Sequence, residues 1–142
     1  MNDLPITVRY AIRILIFLAL SPGHPVSANS VARIIRIPPS QAAKVLHVLR
    51  WGGLTRSRRG AHGGYELQQD PEEIRVEQVL KLFLLPAEEE GTAVADDPFQ
   101  RIWTQTKEQA HQELLQMSIV ELSRRMPIPL GKQGMQAATR RL

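Results

Sequence analysis

Residues 39–67 read PSQAAKVLHVLRWGGLTRSRRGAHGGYEL, and the hydrophobic period changes partway along them. From Pro39 to Trp51 the apolar positions Ala42, Val45, Leu46 and Leu49 follow helical spacing. Pro39 suits the first turn of such a helix, where a missing N–H costs nothing. Gly52-Gly53 closes it. Beyond the glycines, Leu54 to Arg58 and Gly64 to Leu67 alternate like short strands, joined by the loop Arg59-Gly60-Ala61-His62-Gly63. The spacing predicts a helix followed by a β-hairpin with arginines at its tip.

Working back from this stretch, Arg36-Ile37-Pro38-Pro39 is a tight break, and Ser27 to Ile35 fits a short helix. Ser27 is placed to cap its first-turn amides, with Val31, Ile34 and Ile35 on the buried side. Ser21-Pro22-Gly23-His24-Pro25 ends a still earlier helix, Ile6 to Leu20, which is apolar nearly all round and must be buried on more than one side. Three short helices with a sharp corner before the third outline a helix-turn-helix, and the hairpin adds a wing. The expected fold is mainly α with a small β-hairpin wing: a winged helix-turn-helix plus a long C-terminal dimerisation helix.

Working forward, Asp70-Pro71-Glu72-Glu73 is a turn into a fourth helix, Val76 to Leu84, with Val79, Leu80 and Phe83 inward. Residues 85–97 form an acidic loop with Glu88, Glu89, Glu90, Asp96 and Asp97. Asp97-Pro98 is a helix start, and Phe99, Trp103, Thr106, Ala110, Leu114 and Met117 then recur at heptad-like intervals. Such a stripe needs a partner, most simply the same helix of a second subunit; the competing reading packs it into the chain's own core. Ser118-Ile119-Val120-Glu121 is a capping box for a last short helix. The expected organisation is a DNA-binding domain over 1–84, the acidic loop over 85–97, dimerisation helices over 98–126 and a flexible tail over 127–142.

Charge divides the chain as sharply as pattern does. Leu4 to Tyr65 holds nine basic residues and no Asp or Glu, whereas Val76 onward holds eight basic and nine acidic residues. The first half is suited to face a polyanion. Ile14 to Leu20 is too short for a membrane span and lacks a basic leader, so a cytoplasmic, soluble protein with no membrane partner is expected. The chain has no cysteine, which excludes disulfides, thiolate metal sites and cysteine-held clusters. His24, His47, His62 and His111 are too scattered to suggest a metal site, and His111 with Glu108 reads as a solvated pair. No nucleophile-base pair, phosphate-cradling glycine loop or carboxylate pair supports an enzyme. No cofactor is expected.

The string Arg56-Ser57-Arg58-Arg59-Gly60-Ala61-His62-Gly63-Gly64-Tyr65, with Ile37-Pro38-Pro39-Ser40 before it and Pro71-Glu72-Glu73-Ile74 after it, resembles the Rrf2 family of bacterial transcription regulators. The resemblance covers nearly the whole chain. It places Arg59 at a wing-tip arginine that enters the minor groove, and Ser40 at a recognition-helix serine near the bases. The chain departs from some relatives at Pro38 and Ala43, where a serine and a glutamate can stand, and it has none of the three cysteines that cluster-binding members carry between the fourth and fifth helices.

Residues and resemblance together imply a dimeric, sequence-specific DNA-binding repressor acting on a pseudo-palindromic operator. Ser40, Gln41, Lys44 and His47 would read bases and Arg59 the minor groove, while Arg33, Arg36, Arg50, Arg56 and Arg58 would contact phosphates. Phosphate contact alone is the simpler alternative for Lys44 and His47. A small-molecule effector is left open, with Trp103 as one candidate lining residue. Two competing functions stay in view: a winged-helix protein-interaction module and a sequence-tolerant architectural DNA binder.

Overall fold

Eight of the fourteen residues of the first helix, α1 (Ile6–Ala19), are buried, and they point in every direction around its axis. A helix so apolar can only sit in the middle of its neighbours. The computed structural model describes residues 5–84 and 112–126, and in it α1 packs against the helices Ala28–Ile35, Pro39–Trp51, Val76–Phe83 and Ile119–Arg125 and against the strand Gly64–Leu67. The calls on residues 85–111 and on the tail from 127 fall outside the described residues.

α2 (Ala28–Ile35) begins where Ser27 accepts a hydrogen bond from the Ser30 amide at 3.2 Å. It ends at Arg36, the one non-glycine residue with positive φ among the described residues (φ 58°). A left-handed turn costs an ordinary residue about 1–2 kcal/mol. The corner is held because Ile37 beyond it is buried and its amide donates to the Ala32 carbonyl at 3.0 Å. The Arg13 guanidinium of α1 also donates to the carbonyl of Ile35, placing a cation at the negative end of α2.

α3 (Pro39–Trp51) has Pro39 in its first turn and buries Ala42, Val45, Leu46 and Leu49 against α1 and α2. β1 (Thr55–Arg58) and β2 (Gly64–Leu67) form an antiparallel hairpin with Thr55 opposite Leu67 and Arg58 opposite Gly64. Thr55 hydroxyl to the Leu46 carbonyl (3.5 Å) and the Gln69 amide to the Gly53 carbonyl (3.2 Å) fasten the hairpin base to α3. A second tie joins Val26 and Tyr65, which exchange backbone hydrogen bonds at 2.8 Å in both directions.

α4 (Val76–Phe83) buries Val76 and Val79, with Leu80 and Phe83 half-buried. Residues 112–116 are helical and lead to α5 (Ile119–Arg125), whose start carries the reciprocal Ser118–Glu121 capping box. α5 is built into the same core as the first three helices. Ile119 is fully buried, and its amide donates to the Ile74 carbonyl while the Val76 amide donates to that of Met117. Each fully buried aliphatic side chain of this kind contributes about 1.5–3 kcal/mol. None of the described helices is long and apolar enough to cross a membrane.

Candidate nucleic-acid interface

The outer face of α3 carries Ser40, Ala43, Lys44, His47, Arg50 and Trp51, all exposed. Ser40, Lys44 and His47 fall four and three residues apart and so lie in one line along the helix. Gln41 is turned about 100° from Ser40 and is half-buried, so it stands at the edge of that line. Trp51 continues the line one turn further and is 88% exposed, the most exposed large apolar side chain among the described residues.

The hairpin's arginines differ from one another. Arg56 lies directly opposite Glu66 in the strand register, and Arg58 lies two residues on, on the same face. Arg56 donates its Nε–H to Glu66 Oε1 at 2.7 Å, Arg58 forms an ion pair with the same oxygen at 2.8 Å, and this carboxylate is only 7% exposed. Each guanidinium keeps its four terminal N–H groups for other acceptors, but one negative charge now sits beneath two positive ones. Glu66 lies a single residue beyond the acid-free span, and only the register shows that it belongs to the basic face. Arg59 stands just past the end of β1, exposed, and has no carboxylate within ion-pair distance among the described residues.

Two glycines of the wing, Gly63 and Gly64, are there for space. Gly64 has φ +149°, and a Cβ on it would lie 2.4 Å from the backbone of Val26. Only a residue without a side chain allows the wing to approach the α1–α2 turn this closely. A Cβ on Gly63 would fall 2.3 Å from the Arg58 carbonyl oxygen, so the loop can close on itself only with glycine there too.

Arg33 and Arg36 are exposed on α2 and at its C-terminal corner, and Arg50 is exposed at the end of α3. Of the stripe expected to mediate dimerisation, Phe99, Trp103, Thr106 and Ala110 lie outside the described residues. Leu114 and Met117 are half-buried against the chain's own core.

The match to known proteins follows the same elements. The family model Rrf2, described as an iron-dependent transcriptional regulator, matches residues 4–125. The chain belongs to the Rrf2 family. It spans about half the length of several curated relatives: NsrR of Shouchella clausii is 41% identical over 73 residues, 51% of this chain and 49% of the relative. CymR of Bacillus subtilis is 29% identical over 115 residues, covering 80% of this chain and 83% of the relative. Among solved structures, that of CymR, the global cysteine regulator of B. subtilis, superposes with a TM-score of 0.76 at 25% identity, over 89% of this chain and 99% of the other. IscR of T. potens superposes at 0.73 with 23% identity, over 95% and 96%. The winged-helix fold expected from the period changes is therefore the fold of this Rrf2 chain.

The family's iron dependence does not fit this chain's donor set in the form the resemblance implies. Cysteine thiolates hold iron–sulfur clusters, and the sequence has none. Among the described residues no three His, Asp or Glu side chains come together as a metal site.

Proposed function

We propose that this Rrf2 chain binds operator DNA as a homodimer, reads it with the outer face of α3 and with the wing, and represses transcription by occupying promoter DNA. The observation that carries the reading is the line Ser40, Lys44 and His47, exposed on a helix whose opposite side is locked into the core, with Arg59, which meets no carboxylate among the described residues, on a wing fastened to that core at two points. A rigid helix of this kind enters the major groove, and a wing arginine suits the minor groove. Arg33, Arg36 and Arg50 would hold phosphates at its margins, and Arg56 and Arg58 would do so with their terminal N–H groups. Dimerisation rests on the stripe from Phe99 to Met117 and on the two-fold symmetry that helix-turn-helix readers share with their half-sites.

Genome-wide recovery of bound DNA, followed by titration of a recovered site against a scrambled duplex at fixed salt, tests this. The expected result is a pseudo-palindromic site bound at least about 10³-fold more tightly than the scrambled one, by a species with the mass of two chains. Higher transcription of the adjoining genes in a deletion strain would mark repression. Equal affinity for both duplexes would instead identify an architectural binder, and no binding at low salt a protein-interaction module.

A further inference from the structure

His24, in the turn after α1, and His62, in the wing loop, are linked by no sequence motif, yet they line one cavity of about 530 Å³ between α2 and the wing. Arg33 of α2 lines it as well, together with the hydroxyl residues Ser27 and Ser30. Among the described residues no carboxylate lines it. The cavity along the hairpin strands, by contrast, contains Glu66, and a third, beside α5, contains Glu72 and Glu121. The backbone also ties the two histidine-bearing segments together. Val26, two residues after His24, is bonded through its backbone to Tyr65, three residues after His62.

The Arg33 guanidinium at a concave space that no described carboxylate lines attracts anions, because low-dielectric walls focus its unopposed field, and the two imidazoles add ring N–H donors beside it. Planar N–H donors of this kind match the oxygens of a phosphate group. The volume lies within the range of small-molecule sites. We infer that the α2–wing cleft is a phosphate site in which Arg33, His24 and His62 hold the oxyanion. The phosphate is either one of the DNA backbone, as the strand passes between α2 and the wing, or one on a free molecule that would compete with it. The DNA source rests on the function proposed above; the chemistry of the cleft does not.

The histidine ring resonances of the full chain report on this site during two titrations, one with inorganic phosphate at constant ionic strength and one with a recovered operator duplex. Phosphate is expected to shift His24 and His62 saturably and to leave His47, on the open face of α3, in place; Arg33→Ala should weaken that response about fivefold. If the duplex moves the same two rings, and the double variant His24→Gln/His62→Gln binds it about twofold to fivefold more weakly, the occupant is the backbone. Rings that respond to phosphate but not to duplex identify a free phosphate ligand. If neither probe moves them, or if His47 moves with them in parallel, the site is overturned. Failure to bind duplex at all counts against the proposed function, and the phosphate titration still decides the cleft.

Discussion

Two clefts adjoin the wing and share Ser21, but they treat charge in opposite ways. Along the strands, Arg56 and Arg58 meet the buried carboxylate of Glu66, so two cations are partly cancelled and held in fixed positions. At the loop, Arg33, His24 and His62 surround a space that no described carboxylate enters. A count of basic residues would treat both as one polyanion-binding surface. The pairing distinguishes a side that is oriented from a side that is open, and between them Arg59 carries a charge that no described carboxylate pairs. Arg56 and Arg58 less Glu66 leave the same single positive charge that Arg33 supplies alone, so the two sides differ in how their donors are held and not in net charge.

The strongest way to break this arrangement is at the seam that creates both clefts. Gly64→Val would place side-chain atoms where the Val26 backbone already lies, at a φ that L-residues rarely adopt. The expected cost is about 2–4 kcal/mol of stability, combining backbone strain with overpacking. Denaturant unfolding measures it, and a variant as stable as the parent would show that the wing is not held by this contact. Arg59→Ala follows. It should lower operator affinity by at least about 1 kcal/mol with an unchanged unfolding midpoint, because the side chain is exposed and supports no described contact. A salt-controlled gel-shift titration showing undiminished affinity would remove Arg59 from the interface.

Glu66→Gln converts the paired side into a second open one. If Arg56 and Arg58 face phosphates, removing the acid adds one net positive charge to the surface they form, and the log–log salt dependence of random-duplex binding should steepen by about one unit. Operator discrimination should narrow as well, since non-specific attraction rises while the arginines lose their orientation. An unchanged slope would mean that these two arginines do not approach DNA.

How much of this was legible in the sequence follows from the range of the interactions. Local signals carried the elements: Ser27 and the Ser118–Glu121 box marked helix starts, Pro39 a first turn, Gly52-Gly53 an end, and the all-round apolar α1 its central place. What escaped is non-local. Glu66 reaches Arg56 across a strand register that no helical or charge-run count encodes, and it lies one residue outside the acid-free span. His24 and His62 appeared scattered because only the Val26–Tyr65 bridge brings their segments together. The positive φ of Arg36 had no signal, since glycine or asparagine is the usual residue at such a corner. The wing glycines were visible as a motif, but the reason for Gly64, the approach of Val26, is visible only in three dimensions.

The smallest expected effect calibrates the comparison from outside the wing. Glu77 on α4 pairs with Lys81 one turn later at 2.9 Å, but unlike Glu66 it is 37% exposed and its ion-pair partner is 73% exposed. The hydrogen bond from Lys81, followed by its charge, holds the Glu77 carboxyl below its ordinary range, and Gln116 and Arg75 add to this. A carboxyl with a lowered folded-state pKa contributes stability that is fully present above its unfolded value and is lost as pH falls through the folded one. Thermal unfolding of the parent and of Glu77→Gln should therefore differ slightly at neutral pH and converge in acid, and added salt should shrink the gap because an exposed pair is screened. A gap that persists in acid or in high salt would mean that Glu77 acts by holding Gln116, and through it residues 112–116, against α4. The carboxylate would then be a tie between segments, as Glu66 is a tie between arginines, and exposure alone would no longer separate the two.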